Sequence, residues 1–322
     1  MKKVFSLMMA ALLVLGSVLM FGACAETKPT ITIIQFGSHG SLNNCYDGVI
    51  AGLEEGGITL SDYNVVHVDS NFDPTTAQSQ AQTAVNSGSR VIIAIATPTA
   101  VAAASAADGD IPVVFCAITD QSVMENYENV TGSSDIPNFA KQLEVVTGFM
   151  GRSDLKIGVL YSSEESSSPI QVTRLKEAAS AYTGMEIRDS VVTDINTIDT
   201  KVNALISEGV DCFINLLDNT VVGKLESNIL PLTDEAGIPV FGSEIEQVKV
   251  GCAASASIEY VNVGKQAGLA AAQLLLGQKA NASDIPVAVI TDPNNYYNSE
   301  VCARLGLTVP SDLEATDVAG EE

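Results

Sequence analysis

The stretch ITIIQFGS, residues 31–38, decides the fold class. It is a continuous apolar run with one Thr and one Gln, and it ends in small polar residues. Such a run is typical of a strand that is buried on both faces of a sheet. Residues 42–55 follow with apolar positions at helical spacing. A buried strand that leads directly into a helix predicts a βαβ unit with parallel strands and a right-handed crossover.

The same alternation continues along the chain and predicts an α/β fold. Further strands are predicted at residues 65–68, 91–96, 113–116, 157–161, 185–192, 211–217, 239–241 and 286–290. The strand at 286–290 is predicted to be the last one in the chain. Further helices are predicted at residues 74–86, 98–107, 169–182, 198–208, 219–234 and 261–276. The segment 311–322 carries five acidic residues, and we expect this acidic tail to be frayed.

The two halves of the chain resemble each other. The strand at 31–36 and its Gly-Ser loop match residues 157–163, IGVLYSS, and the IPVVF at 111–115 matches the IPVF at 238–241. Two similar α/β lobes place the carboxyl edges of their sheets face to face, and open α/β sheets bind ligands at that edge. The sequence therefore predicts a binding cleft between two lobes.

Composition narrows the function classes. The chain has 322 residues with 16 basic and 39 acidic side chains, a formal charge of −23, which argues against nucleic-acid binding. Apolar residues make up 46%, too many for a disordered chain, and Trp is absent. His39 and His67 are the only histidines, and no nucleophile elbow, phosphate loop or metal-ligand cluster is found. We expect no enzyme activity and no cofactor or metal.

The amino terminus predicts export. Lys2 and Lys3 precede an apolar run that ends in FGAC at residues 21–24. This pattern is typical of a secretory signal peptide over 1–23, with Cys24 as the lipidated first mature residue and 24–30 as a linker. A plain signal peptide or an uncleaved anchor is the alternative. Lipid on Cys24 would hold the protein on the outer face of the cell membrane.

Polar residues at the predicted sheet edges are candidates for the site. Thr97 precedes Pro98 at a helix start, and Asp218 and Asn219 precede another. Helix N-termini suit a carboxylate, and an acid such as Asp120 or Asp218 at the same edge would hold an ammonium group. Together they would form an amino-acid site. Ordinary helix caps are an equally good interpretation, because the same residue types dominate caps.

The chain resembles the ABC-transporter substrate-binding protein family that includes the tryptophan-binding lipoprotein of Gram-positive bacteria. The resemblance covers residues 31 to 310 and rests on several short motifs in order. They are IIQF (33–36) with His39 and Leu42, AIATP (94–98), IPVVF (111–115) with Thr119 and Asp120, VTGSSD (130–135), IGVLY (157–161), DNTV (218–221) and IPVF (238–241).

The resemblance implies a type I periplasmic-binding-protein fold, two Rossmann-like lobes with parallel sheets joined by a three-strand hinge. Lobe one would comprise 31–131 and 257–284, and lobe two 132–256 and 285–310. Hinge closure on a ligand, and docking of the closed form on a permease with its ATPase, are implied as well. We expect a monomer.

By position, the resemblance implies a role for each candidate residue. Thr97 would bind the α-carboxylate, Asp218 the ammonium group, and Asn219 would orient it. The other ligand-binding candidates supply hydroxyl contacts or line the pocket: Phe36, Ser38, His39, Leu42, Thr119, Asp120, Ser134, Tyr161 and Glu244.

Three departures from the family pattern fall at the predicted cleft, so the ligand stays open. Gln121 and Gly40 stand where Pro is common, and Leu216-Leu217 stands where Pro-Thr is more usual. A receptor for a sensor or chemoreceptor is the alternative to a transport protein. A sugar, a nucleoside or a peptide is the alternative to a possibly aromatic amino acid.

Overall fold

Six parallel strands form the sheet of the first lobe in the computed structural model, which describes residues 28–290 and 293–321. The strands are β1 (Thr30–Gln35), β2 (Asn64–Asp69), β3 (Val91–Ile95), β4 (Val113–Ile118), β5 (Val130–Ser134) and β11 (Ala288–Val289). Their order across the sheet is β11-β5-β4-β3-β1-β2. The helices of this lobe are α1 (Gly40–Glu55), α2 (Pro74–Asn86), α3 (Thr97–Ala107) and α10 (Tyr260–Leu275).

Both faces of this sheet are covered, which explains why its strands are continuously apolar. On β3, Val91 and Ile93 belong to the core that contains residues of α1 and α10. Their neighbours Ile92 and Ala94 belong to a second core with residues of α2 and α3. Alternate residues therefore point to opposite faces, and each face meets a helical layer rather than water.

The second lobe has a parallel sheet of four strands that continues into three more. The strands are β6 (Lys156–Ser162), β7 (Glu186–Val192), β8 (Cys212–Ile214), β9 (Val240–Phe241), β10 (Ala254–Ser257), β12 (Asn294–Tyr297) and β13 (Thr316–Asp317). The Ala253 N–H donates to the Val240 carbonyl over 2.7 Å and joins the two parts. The helices are α4 (Phe139–Met150), α5 (Ser168–Ala179), α6 (Ile198–Ser207), α7 (Asn219–Val222), α8 (Leu230–Glu235), α9 (Ile245–Lys249) and α11 (Ser299–Leu305).

One predicted helix is broken in the structure. Residues 219–234 were expected to be helical throughout, but a π-helical segment, Leu225–Ile229, separates α7 from α8. Pro231 lies in the first turn of α8 and has no N–H to donate to the preceding turn. The loss of that hydrogen bond favours a local change of helical pitch.

The sheets show where the chain passes between the lobes. The predicted lobe limit at 131/132 falls inside β5, which belongs wholly to the first sheet. Strand β11 also pairs with β5, through Ala288–Ser133 and Val289–Ser134, although 285–310 was expected in lobe two. The chain therefore leaves the first sheet after Ser134, returns after β10 and leaves again after β11.

The carboxyl-terminal segment is ordered, which corrects the expectation of a frayed tail. The predicted last strand near 286–290 is followed by two more, and β13 pairs in parallel with β12. The Val318 side chain is 1% exposed and packs in a core of the second lobe. Burial of Val318 and the backbone pairing beside it hold the acidic segment on the lobe.

Val318→Ala is expected to lower the free energy of unfolding by about 1–2 kcal/mol, because it removes buried methyl groups and leaves a small cavity. Thermal unfolding measures the effect. Thr316→Ala on the exposed surface of β13 is the matched control and should change stability far less. Equal stability of the two variants would show that the segment does not stabilise the lobe.

The predicted signal peptide over 1–23, the lipidation site Cys24 and most of the predicted linker lie outside the described residues. Within residues 28–290 and 293–321, no helix has both the length and the apolar character needed to cross a membrane.

Candidate functional site

The carboxyl ends of the two sheets face each other across a cleft, and an enclosed cavity lies at its centre. Both lobes contribute to its lining, which consists of His39, Ser41, Leu42, Ala117, Thr119, Asp135, Leu217, Asp218, Asn219, Val222, Glu244, Gln247 and Tyr260. The cavity measures about 20 Å³, which is enough for roughly one water molecule. A larger ligand therefore enters this cavity only when the lobes move apart, and the lining must adjust to hold it when they close.

Two larger spaces open from the cleft towards solvent. One of about 520 Å³ shares His39, Val222, Glu244 and Gln247 with the central cavity. The other, of about 400 Å³, is lined by Ser162, Asp194 and Lys224 among others. Phe72 lies between the two spaces and lines both.

Lobe one provides its side chains from loops that follow strands. His39 occupies the N-cap position of α1, and Ser41 and Leu42 lie in the first turn of that helix. Asp135 directly follows β5, and its Oδ2 accepts a hydrogen bond of 2.8 Å from the Tyr260 hydroxyl of α10. The other carboxylate oxygen of Asp135 is buried and accepts no hydrogen bond of standard geometry from the described residues, although the Thr119 hydroxyl lies close enough to this carboxylate to lower its pKa.

In lobe two, Asp218 caps α7 and is fully buried. Its Oδ1 accepts from the Val221 N–H over 3.0 Å. Its Oδ2 accepts from the Ser162 N–H over 2.6 Å and from the Ser168 hydroxyl over 2.8 Å. These bonds hold the loop before α7 against β6 and α5, so the capping interpretation of Asp218 is confirmed.

Four contacts join the lobes and close the cleft. His39 Nε2 lies 3.1 Å from Asn219 Oδ1, and the Arg174 guanidinium lies 2.5 Å from the Asp120 carboxylate. The Ser41 hydroxyl donates to the Glu244 carboxylate, and Asn44 Nδ2 donates to Glu246 Oε1 over 3.0 Å. The N-terminal part of α1 is thus bonded to α7 and α9 of the opposite lobe.

Buried carboxyl groups dominate the electrostatics of the cleft. Desolvation raises the pKa of Asp135 and Asp218, and it raises the pKa of Glu244 to about 7. Desolvation, and then the neighbouring Asp218, raise the pKa of Glu165 as well. No Lys or Arg is among the described residues that line the central cavity. A positive charge on a ligand would therefore relieve the cost of burying these acids.

The pKa of His39 is shifted in the opposite direction to the pKa values of these acids. Burial lowers the pKa of its imidazole to about 4, and the hydrogen bond to Asn219 only partly offsets this effect. The ring lies nearly parallel to that of Phe72, with an interplanar angle of 6° and a centroid distance of 6.1 Å. At neutral pH the cleft therefore holds a neutral imidazole.

Half of the predicted ligand-binding residues line the central cavity: His39, Leu42, Thr119, Asp218, Asn219 and Glu244. Ser38 lines the larger of the two outer spaces instead. The sheet-edge pattern had indicated Ser38, His39, Asp218 and Asn219, and the family resemblance had added Leu42, Thr119 and Glu244.

Five predicted residues lie outside these spaces. Phe36 packs in the lobe-one core, and Tyr161 packs against a core of lobe two. The Ser134 hydroxyl donates to the Ile118 carbonyl over 2.6 Å. Asp120 is paired with Arg174 and caps a short 3₁₀ helix. Thr97 is the first residue of α3 rather than its cap, since Ala96, with φ 83°, takes the cap position.

Sequence reasoning did not select Asp135, Glu165 or Tyr260. Asp135 closes the VTGSSD motif, so its position directly after β5 was a usable signal. Glu165 lies in the loop between β6 and α5 and is 1% exposed. An acid in a polar loop is ordinarily solvated, so no local pattern indicates that Glu165 is buried.

Comparisons with known proteins agree with this geometry. A family model described as "ABC transporter substrate binding protein" matches residues 30–319. A tyrosine-binding protein of Clostridioides difficile (strain R20291) is 29% identical over 95% of this chain and 93% of its own length.

Two solved structures bear on the state of the cleft. An ABC domain from Streptococcus pneumonia in complex with L-Trp is 28% identical, with a TM-score of 0.83 over 90% of this chain and all of that one. The ligand-free, open structure of a substrate-binding protein with adhesive properties from Clostridium difficile is 29% identical over 90% of this chain and 99% of that one, with a TM-score of 0.66. At similar identity, the chain is more similar to the ligand-bound structure, as its closed cleft leads one to expect.

Proposed function

We propose that this chain, which belongs to the ABC transporter substrate-binding protein family, captures an amino acid with an aromatic side chain. Members of this family bind substrates rather than transform them, and they work outside the cytoplasm. The fold is that of type I periplasmic binding proteins, in which two lobes close on a ligand by hinge motion. Relatives described as tyrosine-binding and as bound to L-Trp support the ligand class.

One observation carries the proposal: the closed cleft buries several acids around a cavity and leaves one carboxylate oxygen free. Asp218 is already saturated by donors, whereas Asp135 Oδ1 has no described partner. We therefore assign the α-ammonium group of the ligand to Asp135 rather than to Asp218. The Ser41 hydroxyl is donated to Glu244, so Thr119, whose hydroxyl interacts with Asp135 in the structure, is the lining hydroxyl that we assign to the α-carboxylate once the ammonium group occupies Asp135.

Delivery to a transport complex completes the proposal. The closed form, held by the contacts of α1 with α7 and α9, would dock on a permease that is driven by an ATPase. The amino-terminal pattern supports an exported lipoprotein that is anchored to the outer face of the cell membrane through Cys24. We propose that the protein acts as a monomer.

Calorimetry of the purified protein with L-tyrosine, L-tryptophan and 3-(4-hydroxyphenyl)propionate, which has no ammonium group, tests the proposal. Loss of the ammonium group is expected to weaken binding by roughly 30-fold, because Asp135 stays buried without a partner. Asp135→Asn should weaken L-tyrosine binding similarly and remove most of the difference between L-tyrosine and its deaminated analogue.

Asp47→Asn on the exposed face of α1 is the matched control and should bind as the unchanged chain does. A thermal-shift screen of the amino acids with sugars and nucleosides accompanies the calorimetry, since a bound ligand raises the melting temperature. Stabilisation by a sugar or a nucleoside, and by no amino acid, would contradict the proposal.

A further inference from the structure

A chain of hydrogen bonds fixes the orientation of one side-chain amide in the cleft. Asn219 Nδ2 donates to Glu165 Oε2 over 3.1 Å, and the Thr220 N–H donates to Glu165 Oε1 over 2.8 Å. In the ionised state Glu165 can only accept, so in that state the nitrogen of the Asn219 amide faces Glu165, as the structure has it. The oxygen of that amide therefore faces His39 Nε2, at 3.1 Å.

This arrangement determines which nitrogen of His39 carries the hydrogen. An amide oxygen only accepts, so Nε2 must be the N–H donor. Burial keeps the imidazole neutral at pH 7, and a neutral imidazole has one N–H and one lone pair. His39 Nδ1 is thus an acceptor, and it is buried with no described partner.

His39 lies where its acceptor nitrogen can meet the side chain of a bound ligand. Asp135 lines only the central cavity, whereas His39 lines both that cavity and the adjoining space of about 520 Å³. The outer space is bordered by Phe72, Leu225 and Val250 on its apolar part and by Glu226, Glu244 and Glu246 elsewhere, so an aromatic ring would contact the apolar part. An amino acid with its ammonium group at Asp135 would extend its side chain past His39 into this space.

We propose that His39 Nδ1 accepts a hydrogen bond from the side chain of the bound amino acid, so that the site selects a ring bearing an O–H or N–H donor over phenylalanine. Glu165 and Asn219 are positioning residues that hold His39 in the required tautomer. The inference rests on the proposed function and adds to it the chemistry by which the side chain is chosen.

Nitrogen-15 NMR of histidine-labelled protein tests the tautomer directly. The chain has two histidines, so His67→Gln assigns the remaining ring to His39. We expect Nε2 of His39 to be protonated and Nδ1 to be unprotonated. In Glu165→Gln, the amide nitrogen of the introduced side chain would face Asn219, the Asn219 amide would turn, and the protonated nitrogen of His39 should change to Nδ1. An unchanged tautomer in Glu165→Gln would show that Glu165 does not position the ring.

Ligand titration tests the contact. The Nδ1 resonance of the unchanged protein should move on addition of L-tyrosine and stay nearly constant with L-phenylalanine. The unchanged chain should bind L-tyrosine about tenfold more tightly than L-phenylalanine. This ratio corresponds to the free energy that one buried hydrogen bond contributes. His39→Phe should remove this preference by weakening L-tyrosine binding alone.

His67→Gln is the matched control, because His67 stacks on Tyr46 and bonds to Gln35 away from the cleft. If His39→Phe weakened the binding of L-tyrosine and of L-phenylalanine equally, the contact of His39 would lie at the ammonium group that both share. That result would overturn the inference. Failure of every amino acid to bind the unchanged chain would instead overturn the proposed function.

Discussion

Gly264→Val is expected to lower the free energy of unfolding by about 3 kcal/mol or more, because it forces two helix backbones apart. A Cβ at Gly264 would lie 2.0 Å from the Cys45 carbonyl oxygen of α1. A Cβ at Gly48 of α1 would lie 2.1 Å from the Val261 carbonyl oxygen of α10. Since the obstacles are backbone atoms, no change of rotamer relieves them, and the helices must separate. At roughly 2–4 °C per kcal/mol, the melting temperature should fall by about 6–12 °C.

Asn262→Val is the matched control, since it adds the same side chain on the exposed face of α10. Calorimetric unfolding of the two variants should show a loss in Gly264→Val only. Helix α1 carries His39, Ser41 and Leu42 at its N-terminal end, so a displaced α1 should weaken ligand binding too. A Gly264→Val protein as stable as the Asn262→Val protein would mean that the helices separate without cost.

The fold was predictable because it rests on local patterns. Residues 31–35 are buried in β1, and the segments at 157–160 and 113–116 have the same character. Each pattern indicates a buried parallel strand without reference to the rest of the chain. The carboxyl edge of such sheets is the usual ligand site, so the loops at His39, Asp120 and Asp218 were selected for a physical reason.

The roles within the site were not predictable, because they depend on which residues meet across the cleft. Asp120 and Asp218 both follow strands, yet the first is paired with Arg174 and the second with donors of its own lobe. Asp135 has a free oxygen because Tyr260, distant in sequence, bonds only to the other one. These outcomes follow from tertiary contacts, which single residue types do not encode.

The contributions of His39 and Glu244 to the pH dependence of the affinity are expected nearly to cancel in the unchanged chain, because the two groups titrate in opposite directions when the cleft closes. Burial in the closed cleft lowers the pKa of His39 to about 4 from its ordinary value near 6.5; if water reaches the ring when the cleft is open, this contribution is present above pH 6.5 and lost as pH falls. Burial raises the pKa of Glu244 to about 7 from near 4.5; if water reaches this carboxyl when the cleft is open, its contribution is present below pH 4.5 and lost as pH rises through 7. Each amounts to roughly 3 kcal/mol, and between pH 4.5 and 8 they nearly cancel.

Single substitutions should therefore reveal steep and opposite pH dependences. In Glu244→Gln, the ratio of its affinity to that of the unchanged chain is expected to rise by roughly 80-fold from pH 4.5 to 7, because the contribution of Glu244, which falls with pH, is removed. In His39→Phe, this ratio is expected to fall by roughly 70-fold from pH 4.5 to 8, because the contribution of His39, which rises with pH, is removed. The chain has no Trp, so binding of L-tryptophan can be followed by the ligand's own fluorescence.

The affinity of each variant is divided by that of the unchanged chain at the same pH. This ratio cancels the effect of Asp135, Glu165 and Asp218, which titrate in all three proteins. Glu177→Gln, exposed on α5, is the matched control and should follow the unchanged chain. Ratios that stay constant with pH in both cleft variants would show that closure does not transfer His39 and Glu244 from water into a buried environment. Slopes of opposite sign in the two variants would place His39 and Glu244 on the moving surfaces that meet when the lobes close.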